Sequence, residues 1–182
     1  MFVFFVVLFG VAAANVITDS LPSNCKLPLD MGTTPCKTGK KEIRYHFDEK
    51  ALMPLAFQYT GCGGNANNFK TEQDCLMLCL GMDHVFCAGG SRLPKPEQCE
   101  DNKDCGSNGY CSNLGRPVKV CCDKKIVDEY EADYSNCPKG KNPVKVTEGG
   151  IPSTIVGKSC KSKFCPANTA CSHGKHFSIC CK

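Results

Sequence analysis

A small, disulfide-rich α+β protein built from three cysteine-defined modules is the fold class the sequence predicts, and three observations carry it. Seventeen of the 182 residues are cysteine, a density at which covalent staples replace a large apolar core in an oxidising compartment. The cysteines fall into groups at 25, 36, 62, 75 and 79, then 87, 99, 105, 111, 121 and 122, then 137, 160, 165, 171, 180 and 181. Finally, the first group encloses two β-prone runs followed by a helix start, whereas the later two read mainly as short strands and loops.

The chain opens Met1-Phe2-Val3-Phe4-Phe5-Val6-Val7-Leu8-Phe9-Gly10-Val11-Ala12-Ala13-Ala14, an apolar run ending in small residues. This pattern suits an export signal over residues 1–14, and it is shorter than the roughly 20 apolar residues of a membrane span. A secreted, extracellular protein with no membrane span is expected. No Cys-x-x-Cys occurs and the four histidines are scattered, so neither a metal site nor a cofactor is expected.

In the first module Ile43-Arg44-Tyr45-His46-Phe47 and Leu55-Ala56-Phe57-Gln58-Tyr59 show partial period-two patterning and predict a hairpin. Thr71-Glu72-Gln73-Asp74 predicts a helix start, with Thr71 as cap and acids at the positive end of the dipole. Cys75 and Cys79 then stand one turn apart on one helix face.

These residues together resemble the Kunitz (pancreatic trypsin inhibitor) family. Thr34-Pro35-Cys36-Lys37 resembles its binding loop and Arg44-Tyr45-His46-Phe47 its first strand. Phe57-Gln58-Tyr59-Thr60-Gly61-Cys62 resembles its second strand and following loop, and Asn67-Asn68-Phe69 with Asp74-Cys75-Leu76-Met77-Leu78-Cys79 its C-terminal signature. The resemblance covers residues 25–79. It implies a twisted hairpin over a short helix, disulfides Cys25–Cys79 and Cys36–Cys62, structural places for Phe57 and Tyr59, and a backbone-holding role for Asn67. Each closed loop would contribute on the order of 3 to 4 kcal/mol by restricting the unfolded chain.

The resemblance further implies a secreted serine protease inhibitor, not an enzyme. Lys37 would be the primary-specificity residue for a trypsin-like protease and Lys37–Thr38 the reactive bond, within binding loops formed by Pro35, Cys36, Lys37, Thr38, Gly39, Lys40, Thr60, Gly61 and Cys62. Departures accompany the match. Ten residues separate Cys25 from Cys36, and seven separate Cys36 from Arg44, both longer than the family pattern. Thr60 replaces a Gly, which would set a β-branched side chain on the contact surface. Pro54 stands where the family's remaining cysteine falls, leaving Cys75 unpaired: either a small buried apolar residue, or a partner for a later thiol or for a second chain in a disulfide-linked dimer.

The second and third groups share a plan of four spaced cysteines and an adjacent pair, with gaps of 11, 5, 5, 9 and 0 residues and of 22, 4, 5, 8 and 0. They resemble the lustrin-type cysteine-rich repeats of secreted invertebrate proteins and define repeats at 87–122 and 137–182. Six cysteines allow fifteen pairings in each, and spacing does not choose among them. Residues 123–136, cysteine-free and mainly acidic, read as a linker.

From Cys137 to Lys182 there are eight Lys and one Glu. Lys158, Lys161, Lys163, Lys175 and Lys182 therefore define a possible surface for a sulfated glycan or other matrix polyanion, the feature behind an alternative reading as a non-inhibitory extracellular interaction protein. Block of an ion channel by the Kunitz-like module is a third. Nucleic acid is not an expected partner, because no aromatic-basic platform is present. No Gly-x-Ser-x-Gly motif or credible Cys-His-Asn set points to an enzyme.

Overall fold

The computed structural model describes residues 21–80, 87–94, 96, 98–112, 118–148 and 150–182. The expected export signal at 1–14 lies outside them. Strands β1 (Glu42–Asp48) and β2 (Met53–Tyr59) form the expected antiparallel hairpin, with Tyr45 opposite Ala56, His46 opposite Leu55 and Phe47 opposite Pro54. The Asp48 carboxylate accepts the Lys50 and Ala51 amides at 3.1 and 2.9 Å and closes the turn. Helix α1 (Glu72–Cys79) begins where its signals lie, the Thr71 hydroxyl accepting the Asp74 amide at 3.0 Å. Cys79 bonds Cys25, and reciprocal backbone bonds between Phe69 and Tyr45 hold the chain before the helix against β1.

Both repeats choose the same pairing out of fifteen, joining cysteines first to sixth, second to fourth and third to fifth. The bridges are Cys87–Cys122, Cys99–Cys111 and Cys105–Cys121, then Cys137–Cys181, Cys160–Cys171 and Cys165–Cys180. In each, the adjacent cysteines sit on the second strand of a hairpin, where neighbouring side chains point to opposite faces and so reach different partners. These hairpins are β3 (Gly109–Ser112) with β4 (Val120–Asp123), and β8 (Ala170–His173) with β9 (Ser178–Cys181). The last repeat adds a hairpin of β5 (Lys145–Glu148) and β6 (Ile151–Thr154), and β7 (Val156–Gly157) pairs with β9.

The segment expected to be an acidic linker is instead helix α2 (Lys124–Tyr134), capped by the Asp123 carboxylate on the Lys125 and Ile126 amides. Asp128 and Glu131 face water, while Ile126, Tyr130 and Asp133 recur at helical spacing on one side. Tyr130 and Asp133 are buried. The Asp133 carboxylate accepts the Lys175, His176 and Phe177 amides at 2.7, 2.6 and 3.2 Å. Glu129 takes Lys175 and His176 as partners, and the hydrogen bonds from Lys175 and His176 hold its carboxyl below the usual carboxylate range.

The modules are consequently not beads on a string. One core cluster joins Tyr45, Phe47, Ala56, Cys75 and Cys79 of the first module to Ile155, Phe164 and Cys180 of the last. Another joins Leu55 to Tyr130, Val156, Phe177 and Ile179. Cys75 lies wholly buried in the first cluster, and every other cysteine is bridged. Burial, with Glu72 nearby, pushes its thiol well above the ordinary range. Of the readings open for Cys75, the structure matches the small buried residue and leaves no later cysteine free to pair with it; a sealed, protonated thiol is also a poor nucleophile for a bridge to a second chain. The packed face supplies part of what the absent bridge would.

Gly157 marks the closest approach, since a Cβ there would lie 2.4 Å from the Phe164 ring and 2.8 Å from the Ala56 carbonyl oxygen. Gly157→Ala is expected to pry the last repeat from β2, costing about 1 to 3 kcal/mol and admitting an alkylating reagent to Cys75 that the parent excludes. Denaturant titration and thiol labelling read the two effects.

A second contact carries a pH signature. Lys158 reaches from the last repeat to Asp48 at 2.6 Å. Beside the pair His46 is buried, and its Nε2 has no hydrogen-bond partner. Burial lowers the His46 pKa below the ordinary 6.5, with Lys158 in support and Asp48 opposed. Because the unfolded state takes the proton first, this site's stability is complete above pH 6.5 and drains as pH falls below it. Burial pushes Asp48 up, but Lys158 and the Ala51 amide outweigh it and hold its carboxyl below 3.8, so its share is lost only in stronger acid. His46→Phe is expected to flatten the decline that begins near pH 6.5 and leave the more acidic one, as read by melting temperature against pH.

Candidate functional site

The end of the hairpin remote from its turn carries two loops joined by Cys36–Cys62. Lys37 and Thr38 are exposed on the first loop, and Cys36 and Gly39 are half-buried beneath them. The Gly39 amide lies 3.1 Å from Cys36 Sγ, and Thr38 Oγ1 lies 3.7 Å from Cys62 Sγ. Behind the Lys37–Thr38 bond the loops touch backbone to backbone. A Cβ on Gly39 would lie 2.2 Å from the Gly61 carbonyl oxygen, and Gly61 itself has φ +96°. Only glycine at both positions permits that contact.

The long approach to Pro35, which follows a cis Thr34–Pro35 peptide, braces the second loop. The Thr33 amide donates to the Cys62 carbonyl at 2.8 Å, and the Thr60 amide donates to Met31 O at 2.9 Å. The Thr33 and Thr60 hydroxyls both donate to Cys62 O, at 3.3 and 3.2 Å. Thr60 is only 8% exposed, which corrects the expectation that its side chain occupies the contact surface. It turns inward against the extra residues. Pro35, Lys40, Gly61 and Cys62 lie together with Lys37 at this rim, while Thr60 supports it from below. No sequence signal pointed to Met31 and Thr33, because their role depends on which loop they meet.

Asn67 ties the loops to the hairpin. Buried to 1% exposure, it accepts the Phe47 amide at 2.7 Å and donates to Phe47 O at 2.9 Å, Leu27 O at 2.8 Å and Cys25 O at 3.4 Å. Phe57 is wholly buried. Tyr59 donates to Gly63 O at 2.6 Å, and the Arg44 guanidinium lies 5.7 Å from its ring centroid. The lysine-rich last repeat is less open than its composition suggests. Lys158 and Lys175 are engaged by Asp48 and Glu129, leaving Lys161, Lys163 and Lys182 of the five expected to meet a polyanion.

A twisted hairpin over a capped helix, a loop-joining disulfide with an exposed lysine beside it, and a buried asparagine lashing the backbone define a Kunitz-type module, here continued by two cysteine-rich repeats. The Kunitz/bovine pancreatic trypsin inhibitor domain matches residues 24–80. The chain is 36% identical over 180 residues to the major allergen Ani s 1 of Anisakis simplex, covering 94% of this chain and 93% of that protein. It is 31% identical over 159 residues to a BPTI/Kunitz inhibitor domain-containing protein of Caenorhabditis elegans, covering 87% and 89%. The first module alone is 49% identical over 57 residues to the Kunitz-type serine protease inhibitor homolog dendrotoxin K of Dendroaspis polylepis polylepis, covering 31% and 67%. The chain belongs to the Kunitz/BPTI-domain family. Among the described residues no helix is long and apolar enough to cross a membrane.

Proposed function

We propose that the protein is a secreted inhibitor of trypsin-like serine proteases acting through Lys37, with a Kunitz module at 25–79 and accessory repeats at 87–122 and 137–182. The observation that carries this reading is an exposed lysine directly after Cys36, on a loop pinned by Cys36–Cys62 and by the Gly39–Gly61 contact. Such a loop enters a protease cleft already shaped, so association loses little ordering entropy. The Lys37 ammonium meets the carboxylate at the base of a trypsin-like specificity pocket, and the attacking serine faces the Lys37–Thr38 carbonyl. The disulfide keeps both sides of a cleaved bond in place, and religation competes with release. The apolar leader at 1–14 and the eight disulfides support an extracellular site of action.

Titration of active-site-quantified trypsin with the oxidised full chain tests the proposal. One-to-one inhibition with a nanomolar or tighter constant is expected. Absence of inhibition across a panel of Lys/Arg-specific serine proteases rules it out.

A further inference from the structure

We propose that Lys40 and Lys41 are specificity-determining residues directing this loop to trypsin-like proteases whose cleft carries an acidic rim on the leaving-group side. The inference rests on reading Lys37–Thr38 as the reactive bond.

The charge distribution is one-sided. Residues 31–41 and 60–68, which form the reactive end, contain Lys37, Lys40 and Lys41 and no acid. The flanking acids are already engaged: Asp30 accepts the Gly32 amide at 2.9 Å, and Glu42 is paired with Arg44. Lys40 and Lys41 are exposed. Among the described residues neither has an ion pair, in contrast to Lys119, Lys124, Lys158 and Lys175.

Their position gives the charge a direction. Thr38 is the first residue beyond the reactive bond. Gly39 presents no side chain and is pressed against Gly61, so Lys40 is the next side chain available to a partner. Three residues of chain span at most about 10 Å, comparable to the Debye length at about 0.1 M salt. Charges at that range from a docking cleft still act on it, and they act chiefly on association. An acidic rim is attracted before contact, whereas a basic rim is repelled even if its specificity pocket accepts Lys37.

Association kinetics of the full chain with anionic and cationic pancreatic trypsin, at low and high ionic strength, test this. The parent chain is expected to associate faster with the anionic enzyme. In Lys40→Gln/Lys41→Gln that preference falls about tenfold at low salt, dissociation changes less than about twofold, and high salt erases the difference between parent and variant. Lys161→Gln/Lys163→Gln, remote in sequence from the loop, leaves the preference intact. Unchanged association in the first variant, or an equal loss in the second, overturns the inference while leaving the Lys37 reading in place. Failure of the parent to inhibit either trypsin removes both, and Lys37→Glu separates the cases by abolishing inhibition only where Lys37 is the contact.

Discussion

Lys37→Glu is expected to abolish trypsin inhibition while leaving the stability of the protein unchanged. The side chain is exposed and has no ion pair among the described residues, so the fold loses no contact when it is replaced. In the complex its ammonium becomes fully desolvated against a single carboxylate, and a glutamate there would set two buried anions face to face. Losing one member of a buried charged pair costs about 2 to 5 kcal/mol, and reversal costs at least as much. A loss of about thirtyfold, about 2 kcal/mol, is the minimum expected, and a thousandfold loss, about 4 kcal/mol, lies within the range. Inhibition assays and thermal melts on the same preparation separate loss of contact from loss of fold. Lys37→Arg should retain inhibition, because the pocket accepts either cation.

Asn67→Ala should be the most damaging single substitution for the fold. The side chain satisfies the Phe47 amide and carbonyl and the Leu27 carbonyl from a position only 1% exposed. Truncation strands these groups where water has little access, at about 1 to 3 kcal/mol each. A total on the order of 5 kcal/mol is comparable to the whole stability of many small domains. The damage is also directional, because Asn67 connects the segment beginning at Cys25 to β1. Denaturant titration with disulfides intact is expected to show the loss. Hydrogen exchange should localise it to the Phe47 amide and its neighbours. A loss below about 1 kcal/mol would show that water replaces the amide.

The hairpin and helix of the first module were legible because their determinants are local, alternating β-prone residues and a Thr71 cap, whereas its two disulfides were implied by the family resemblance. Thr60 was misread because its direction depends on Met31 and Gly32, nearly thirty residues earlier, in a segment whose extra length gave no hint of what it would touch. Helix α2 was missed for another reason. Its acids suggested a solvated connector, although Ile126, Tyr130 and Asp133 already carried the spacing of a buried helical face. The docking of the last repeat could not be read at all, since Ile155, Val156 and Phe164 are indistinguishable in sequence from residues that serve their own repeat's core. That docking also settles Cys75, whose surroundings come from both modules.

The chemistry of the Lys37–Thr38 bond tests the central claim most directly. Prolonged incubation of the full chain with a catalytic amount of trypsin at mildly acidic pH, followed by intact and reduced mass analysis, reports which bonds are cut and whether the pieces part. The account predicts partial hydrolysis of Lys37–Thr38, a gain of one water in the intact mass, two fragments only after reduction, and inhibition retained throughout. Rapid cleavage at many lysines with loss of the protein, or a lasting absence of any cut at Lys37 without inhibition, would contradict it.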